Sequence, residues 1–145
     1  MLKDQKARTL NKNVHENFSI IIIKNREDLK MLFICYPKCT TCQKALKWLS
    51  EKGIEPQIRD IKENNPNKKE LQQWFAQSNL PLKKFFNTSG LKYKELGLAK
   101  KLADMSEDEQ LELLASDGML VKRPLLIGKN FVLVGFKQTE WECTF

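Results

Sequence analysis

Three cysteines, Cys35, Cys39 and Cys42, fall within eight consecutive residues of the stretch "ICYPKCTTCQKALKWL". Thiols this close together can hold a metal, work as a redox pair, or pack as small apolar side chains. An iron–sulfur cluster needs its thiolates on a wrapping loop, whereas Cys35 sits inside an apolar run and only 103 residues follow Cys42. A zinc site needs a fourth ligand, which only the distant Cys143 or His15 could supply, and the chain has no second C-x-x-C.

The spacing fits a redox pair best. Cys39 falls at the start of a helix and Cys42 one turn along on the same face, so their sulfurs can meet. Unpaired N–H groups and the helix dipole at that end stabilise an anion, and Lys38 adds a positive charge nearby. Cys39 is then the nucleophile and Cys42 the resolving thiol. The alternative is two unreactive cysteines in a helix. Cys35 is expected to pack inertly in a strand beside Phe33 and Ile34, and Cys143 to be an exposed terminal thiol.

Other nucleophilic schemes lack their parts. His15 is the one histidine, so no Cys-His or Ser-His set exists outside the first thirty residues. A phosphatase-type loop needs arginine six residues after its cysteine, where Ala45 stands. Glycine-rich nucleotide loops are absent.

The elements that must position the pair can be read locally. "MLFICY" is a short buried strand ended by Pro37. The helix that follows turns Cys42, Ala45, Leu46 and Leu49 inward, with Trp48 flanking and Gly53 as its stop. "EPQIRDI" alternates like a half-buried strand, completing a β-α-β unit with parallel strands. In "NPNKKELQQWFAQS", Asn67 and Glu70 have capping-box spacing and Leu71, Trp74 and Phe75 form an apolar stripe.

Pro81, Gly90 and Gly97 then break a helix-leaning stretch into short pieces. Ser106 and Glu109 cap a further helix that turns Leu111, Leu114 and Ala115 to the core and is expected to stop at Gly118. "RPLLIG" and "FVLVGF" form a hairpin around "KN", and "KQTEWE" a terminal helix.

The chain has 145 residues and 41% apolar content, enough for one domain with a core. No apolar run is long enough to cross a membrane; "FSIIII" is short, and "KNREDLK" follows it. No signal-peptide pattern is present, so a cytoplasmic location is expected, where cysteines stay reduced. The net charge of +7 divides into +3 over residues 1–30 and +4 over the rest, with no nucleic-acid motif, so direct nucleic-acid binding is not expected. Residues 1–30 look like a disordered extension ahead of a domain opening at Met31; the alternative is that Phe18 to Ile23 add a strand.

Over residues 31 to 142 the ordered set "YPKCTTCQKA", "FFNTSGLKYKEL", "LLASDGMLVKRPLLIG" and "VGFKQTEWE" resembles the ArsC/Spx family of thioredoxin-fold proteins. The resemblance implies an α/β, thioredoxin-like (glutaredoxin-like) domain over residues 31–145. Its mixed four-stranded sheet would carry a helical insert at about 66–118, and Arg123-Pro124 would be cis. It implies a monomeric thiol-disulfide oxidoreductase of arsenate reductase type: Cys39 attacks an oxyanion or disulfide, and Cys42 resolves the adduct. Arg123 would bind the anion, with Lys38, Thr40, Thr41, Lys68 and Pro124 around the substrate. Pairing of Arg123 with Asp117 is the alternative role for that arginine. No bound cofactor is implied; thioredoxin, glutaredoxin or glutathione would supply electrons.

The chain departs from the arsenate reductase pattern in having Cys42, and in placing Lys68 and Gly135 where two further arginines would stand. An intramolecular disulfide is favoured over arsenate chemistry on that ground. The rival reading within the resemblance is an Spx-type redox sensor that binds the RNA polymerase α subunit.

Overall fold

In the computed structural model, which describes residues 30–145, the strand β1 (Leu32–Cys35) lies inside a four-stranded sheet of order β2-β1-β3-β4. β1 runs parallel to β2 (Gln57–Asp60), with Leu32 opposite Gln57 and Cys35 opposite Asp60. It runs antiparallel to β3 (Leu125–Ile127), which pairs antiparallel with β4 (Val132–Val134). The mixed sheet and its helical insert match what the resemblance implies. The expected extension, the alternative strand at Phe18 to Ile23, and His15 lie outside the described residues.

Side-chain alternation along β1 sorts the core into two layers. Met31, Phe33 and Cys35 pack with Cys42, Ala45 and Leu49 of α1 (Thr40–Glu51) and with Trp141 of the terminal helix (Gln138–Thr144). Ile34 points the other way, into a layer with Leu71 and Trp74 of α2 (Lys68–Ser78). That layer continues through α3 (Leu91–Glu95), α4 (Leu98–Lys101) and α5 (Glu107–Ser116), the terminal helix being α6. α1 and the insert therefore cover opposite faces of one sheet.

Both capping boxes form: Asn67 with Glu70 and Ser106 with Glu109 each exchange two hydrogen bonds. Glu70 also takes a two-pronged ion pair from Arg59 on β2, at 2.6 and 3.0 Å, which holds its carboxyl below the usual range. This joins the edge strand to the insert.

Three expectations need correction. Trp48, expected to flank, is buried, while Leu46 is only partly so, because Trp141 meets Trp48 edge-on with 5.9 Å between centroids. Ile58, an apolar position of the strand expected to be half-buried, is 59% exposed: it is on the edge strand, beyond the layer centred on Phe33 and Leu126. Gly118 is not a helix stop. α5 ends at Ser116, Asp117 is extended, and Gly118 begins a 3-10 turn, Gly118–Leu120, pressed against the backbone of Ile61. Among the described residues no helix is long and apolar enough to cross a membrane.

Candidate active site

The turn at Pro37 and Lys38 carries the chain from β1 into α1, and the Cys39 N–H donates to the Tyr36 carbonyl at 2.9 Å. Cys39 is the N-cap of α1, in extended backbone, and its side chain makes no capping hydrogen bond. Its sulfur is half-buried, which by itself raises the thiol pKa. That effect is outweighed by the N–H and thiol of Cys42, the Arg123 guanidinium and the Thr41 N–H, so the thiol titrates below the ordinary cysteine value.

Cys42 is 1% exposed, and burial pushes its thiol up to about 12; the Tyr36 backbone offsets a part, while Cys39 and Cys35 add to the rise. Two thiols one helical turn apart are thereby driven in opposite directions. Cys35 is also pushed up, first by burial and then by Asp60 and Cys39. It belongs to the same packed layer as Cys42, so the break at Pro37 separates the three cysteines in sequence but not in space. Among the described residues no three cysteine, histidine or carboxylate side chains converge as a metal set.

Cys39 opens onto a cleft of about 720 Å³, shared with Thr41, Met119, Arg123 and Gly135. The guanidinium of Arg123 stacks over the Tyr36 ring at 5.1 Å and lies 3.9 Å from the Met119 sulfur. The alternative partner for it, Asp117, is otherwise engaged: its carboxylate accepts from the Met119 N–H at 2.9 Å and lies 4.0 Å from Lys92. The Arg123-Pro124 bond is cis, and the Pro124 carbonyl accepts the Gly135 N–H at 2.8 Å.

Not every residue expected around the substrate gathers here. Lys38 and Thr40 are exposed beside Cys39 but do not line the cleft, and Pro124 is buried behind it. Lys68 is also absent from the lining. Its ammonium lies 2.6 Å from Asp108 and 3.1 Å from Glu112 on α5, an exposed triad that satisfies its charge within the insert. The structure therefore does not bring Lys68 together with Cys39 and Arg123.

The cleft instead has Lys92, Lys122 and Lys137, with Asn87 and Ser89 from the loop before α3. The "VKRP" run puts Lys122 next to Arg123 in the sequence, but nothing local marks Lys92 or Lys137 as neighbours.

The opposed thiols have a measurable consequence. Alkylation of Cys39 by iodoacetamide should rise with pH to a plateau below the ordinary thiol pKa, because the thiolate is the reacting form and is present earlier. Arg123→Ala should move that midpoint up and slow alkylation at neutral pH, because one of the groups that favours the thiolate is removed. An unmoved midpoint would remove Arg123 from the sulfur's environment.

The ArsC family model matches residues 35–144. The uncharacterized protein YusI of Bacillus subtilis is 57% identical over 114 residues, covering 79% of this chain and 97% of that one. The regulatory protein MgsR of Bacillus subtilis is 28% identical, over 77% of this chain and 86% of its own. The crystal structure of a possible arsenate reductase from Streptococcus mutans superposes with a TM-score of 0.73 at 43% identity, covering 79% of this chain and 98% of that one.

Proposed function

The chain belongs to the ArsC family, and from that premise we propose that it is a thiol-dependent oxidoreductase working through Cys39 and Cys42 in the reducing cytoplasm. The observation that carries the reading is the opposed perturbation of the two thiols, low at Cys39, which opens onto a cleft that Arg123 also lines, and about 12 at the buried Cys42.

In the reaction, the Cys39 thiolate attacks a disulfide sulfur and forms a mixed disulfide as the leaving thiolate departs. Cys42 gives up its proton and attacks the Cys39 sulfur. The second half of the substrate leaves as a thiolate, which takes up a proton. The substrate gains two electrons and the protein is left with a Cys39–Cys42 disulfide. With an oxyanion substrate, Cys39 would bond the central atom as one oxygen leaves as water, and Cys42 would attack the Cys39 sulfur so that the central atom departs with the bonding pair, reduced by two electrons, and the protein is left as the disulfide. A dithiol protein such as thioredoxin or glutaredoxin, or glutathione, returns the electrons.

The test is to treat the reduced protein with one equivalent of hydroxyethyl disulfide and map the product by mass spectrometry. A bond between Cys39 and Cys42, with both released thiols accounted for, is expected. Finding Cys39 bound to neither Cys42 nor the reagent would overturn the reading.

A second reading, a redox-responsive regulator that docks on the RNA polymerase α subunit, is supported by the likeness to MgsR and by a cleft with a single arginine. It requires the same disulfide but no turnover. Polymerase capture that changes with oxidation state, without catalytic consumption of any disulfide or of arsenate, would favour it.

A further inference from the structure

A tetrahedral oxyanion has five heavy atoms, and a cleft of about 720 Å³ is far larger than it needs; openings of this size accommodate organic molecules. Much of the surface beyond Cys39 is apolar, with Met119 and Phe136 on the wall and Leu91, 77% exposed, on α3. The polar groups are mostly cationic. Two of the cations have carboxylates of their own: Lys92 lies 4.0 Å from Asp117 and Lys137 3.7 Å from Glu140. Among the described residues neither Arg123 nor Lys122 is paired with a carboxylate.

Lys122 is held in place by the fold. Its N–H donates to the Phe85 carbonyl at 2.7 Å, and its neighbour Val121 bridges to Phe86, so the backbone is fixed to the insert. Its aliphatic stem crosses Gly135, where a Cβ would come 3.2 Å from the lysine Cε. Gly135 has φ of +74° and is clamped from both sides. Its N–H goes to the Pro124 carbonyl at 2.8 Å, and its own carbonyl accepts from the buried Trp141 indole at 3.1 Å. A side chain at this position would be strained and would crowd the lysine. The glycine thus leaves room for a cation that comes from elsewhere in the chain.

We propose that Lys122, lying across Gly135 beside Arg123, is a second cationic contact, and that the two together select a low-molecular-weight disulfide bearing carboxylates as the substrate of Cys39. The proposal rests on the oxidoreductase reading of this site. Arg123 is close to the reacting sulfurs, whereas Lys122 binds a carboxylate on the body of the substrate. Asn87 and Ser89 offer neutral hydrogen bonds to a peptide-like skeleton. The electron balance is that given above: both halves of the substrate leave as thiols and the protein becomes the disulfide, and for this substrate class a dithiol protein, not glutathione, returns the electrons.

The experiment measures the rate at which the reduced protein is oxidised by three probes at low ionic strength. They are glutathione disulfide, which carries carboxylates, hydroxyethyl disulfide, which is neutral, and cystamine, which is cationic. Each rate is divided by that of free N-acetylcysteamine, a neutral thiol, with the same probe, which removes leaving-group differences without adding a charge of its own. Glutathione disulfide is expected to exceed cystamine by about tenfold, with hydroxyethyl disulfide between them and the gap narrowing as salt rises.

Lys122→Gln is expected to lower the glutathione disulfide rate about fivefold while leaving hydroxyethyl disulfide within about twofold, and Lys122→Arg to retain the preference. Equal normalised rates in the unsubstituted protein, or a preference untouched by Lys122→Gln, would overturn the proposal alone. Reaction of Cys39 with none of the probes would instead overturn the oxidoreductase reading and this proposal with it.

Discussion

Cys39→Ser should lower disulfide-reducing turnover by about a thousandfold or more while leaving the fold intact, since of the two thiols of the pair Cys39 is the one whose thiolate is favoured near neutral pH and opens onto the cleft. A serine hydroxyl does not ionise there, and the donors that favour an anion at position 39 cannot compensate. Cys42 cannot take over. With its thiol pushed up to about 12, Cys42 stays protonated at pH 7 while Cys39 is reduced. If Cys39→Ser retains more than about a tenth of the original turnover, with Cys42 as the modified residue, the assignment of nucleophile and resolver is reversed.

The same electrostatics put the two steps in order. Part of the rise at Cys42 comes from Cys39 itself, through their hydrogen bond and the negative charge of its thiolate. When Cys39 enters a mixed disulfide that charge disappears, and both contributions go with it. The Cys42 pKa then falls, its thiolate fraction at neutral pH rises, and the resolving attack becomes accessible only after an adduct has been captured. Cys42→Ser should accordingly complete one capture and stop with the adduct on Cys39. A single burst of leaving thiol, followed by slow release governed by the external reductant, is the expected trace; unchanged multiple turnover would show that Cys42 resolves nothing.

The parts of this site that were legible in the sequence are those decided by a few adjacent residues. Pro37 ends a strand and Cys39 begins a helix within five positions, so the placement of the redox pair follows from local rules. So do the boxes at Asn67 with Glu70 and Ser106 with Glu109. Arg123 entered through the family pattern, not through periodicity.

Where distant segments decide, local reading failed. Lys68 entered through the family pattern like Arg123, and its partners Asp108 and Glu112, at least forty positions away, are brought alongside it only by the fold. Of the cations that do line the cleft, Lys122 adjoins Arg123 in the sequence, but Lys92 and Lys137 become visible as neighbours only in the folded chain. Ile58 fits an alternating strand, but whether its outward neighbours cover it depends on how far the α1 layer extends.

Gly118 makes the same distinction testable, because its role changed from helix stop to packing point. Its φ is not in the left-handed region, so the backbone alone would accept any residue; the obstacle is space. A Cβ at this position would sit 1.9 Å from the Ile61 carbonyl oxygen and 3.1 Å from the Asn65 Cβ. Ile61 is fully buried and donates its N–H to Cys35 at 2.8 Å, so it cannot withdraw without pulling on the central strand. Asn65 spans to the Ala115 carbonyl at 2.7 Å, and that bond joins the β2–α2 turn to the end of α5.

Gly118→Ala should therefore cost about 3 kcal/mol, seen as a lower urea midpoint with an unchanged slope. The control is Gly53→Ala, at φ of +73° with nothing within 4 Å of the added carbon, where only backbone strain of about 1 kcal/mol is incurred. If Gly53→Ala proves the more damaging of the two, close approach is not what position 118 requires. If the expected order holds, the contact is structural support for the site: Gly118 stands between Asp117 and Met119, two residues of the cleft wall, and Met119 contacts Arg123. A methyl group that displaces this turn should then also raise the Cys39 alkylation midpoint in the fraction that remains folded.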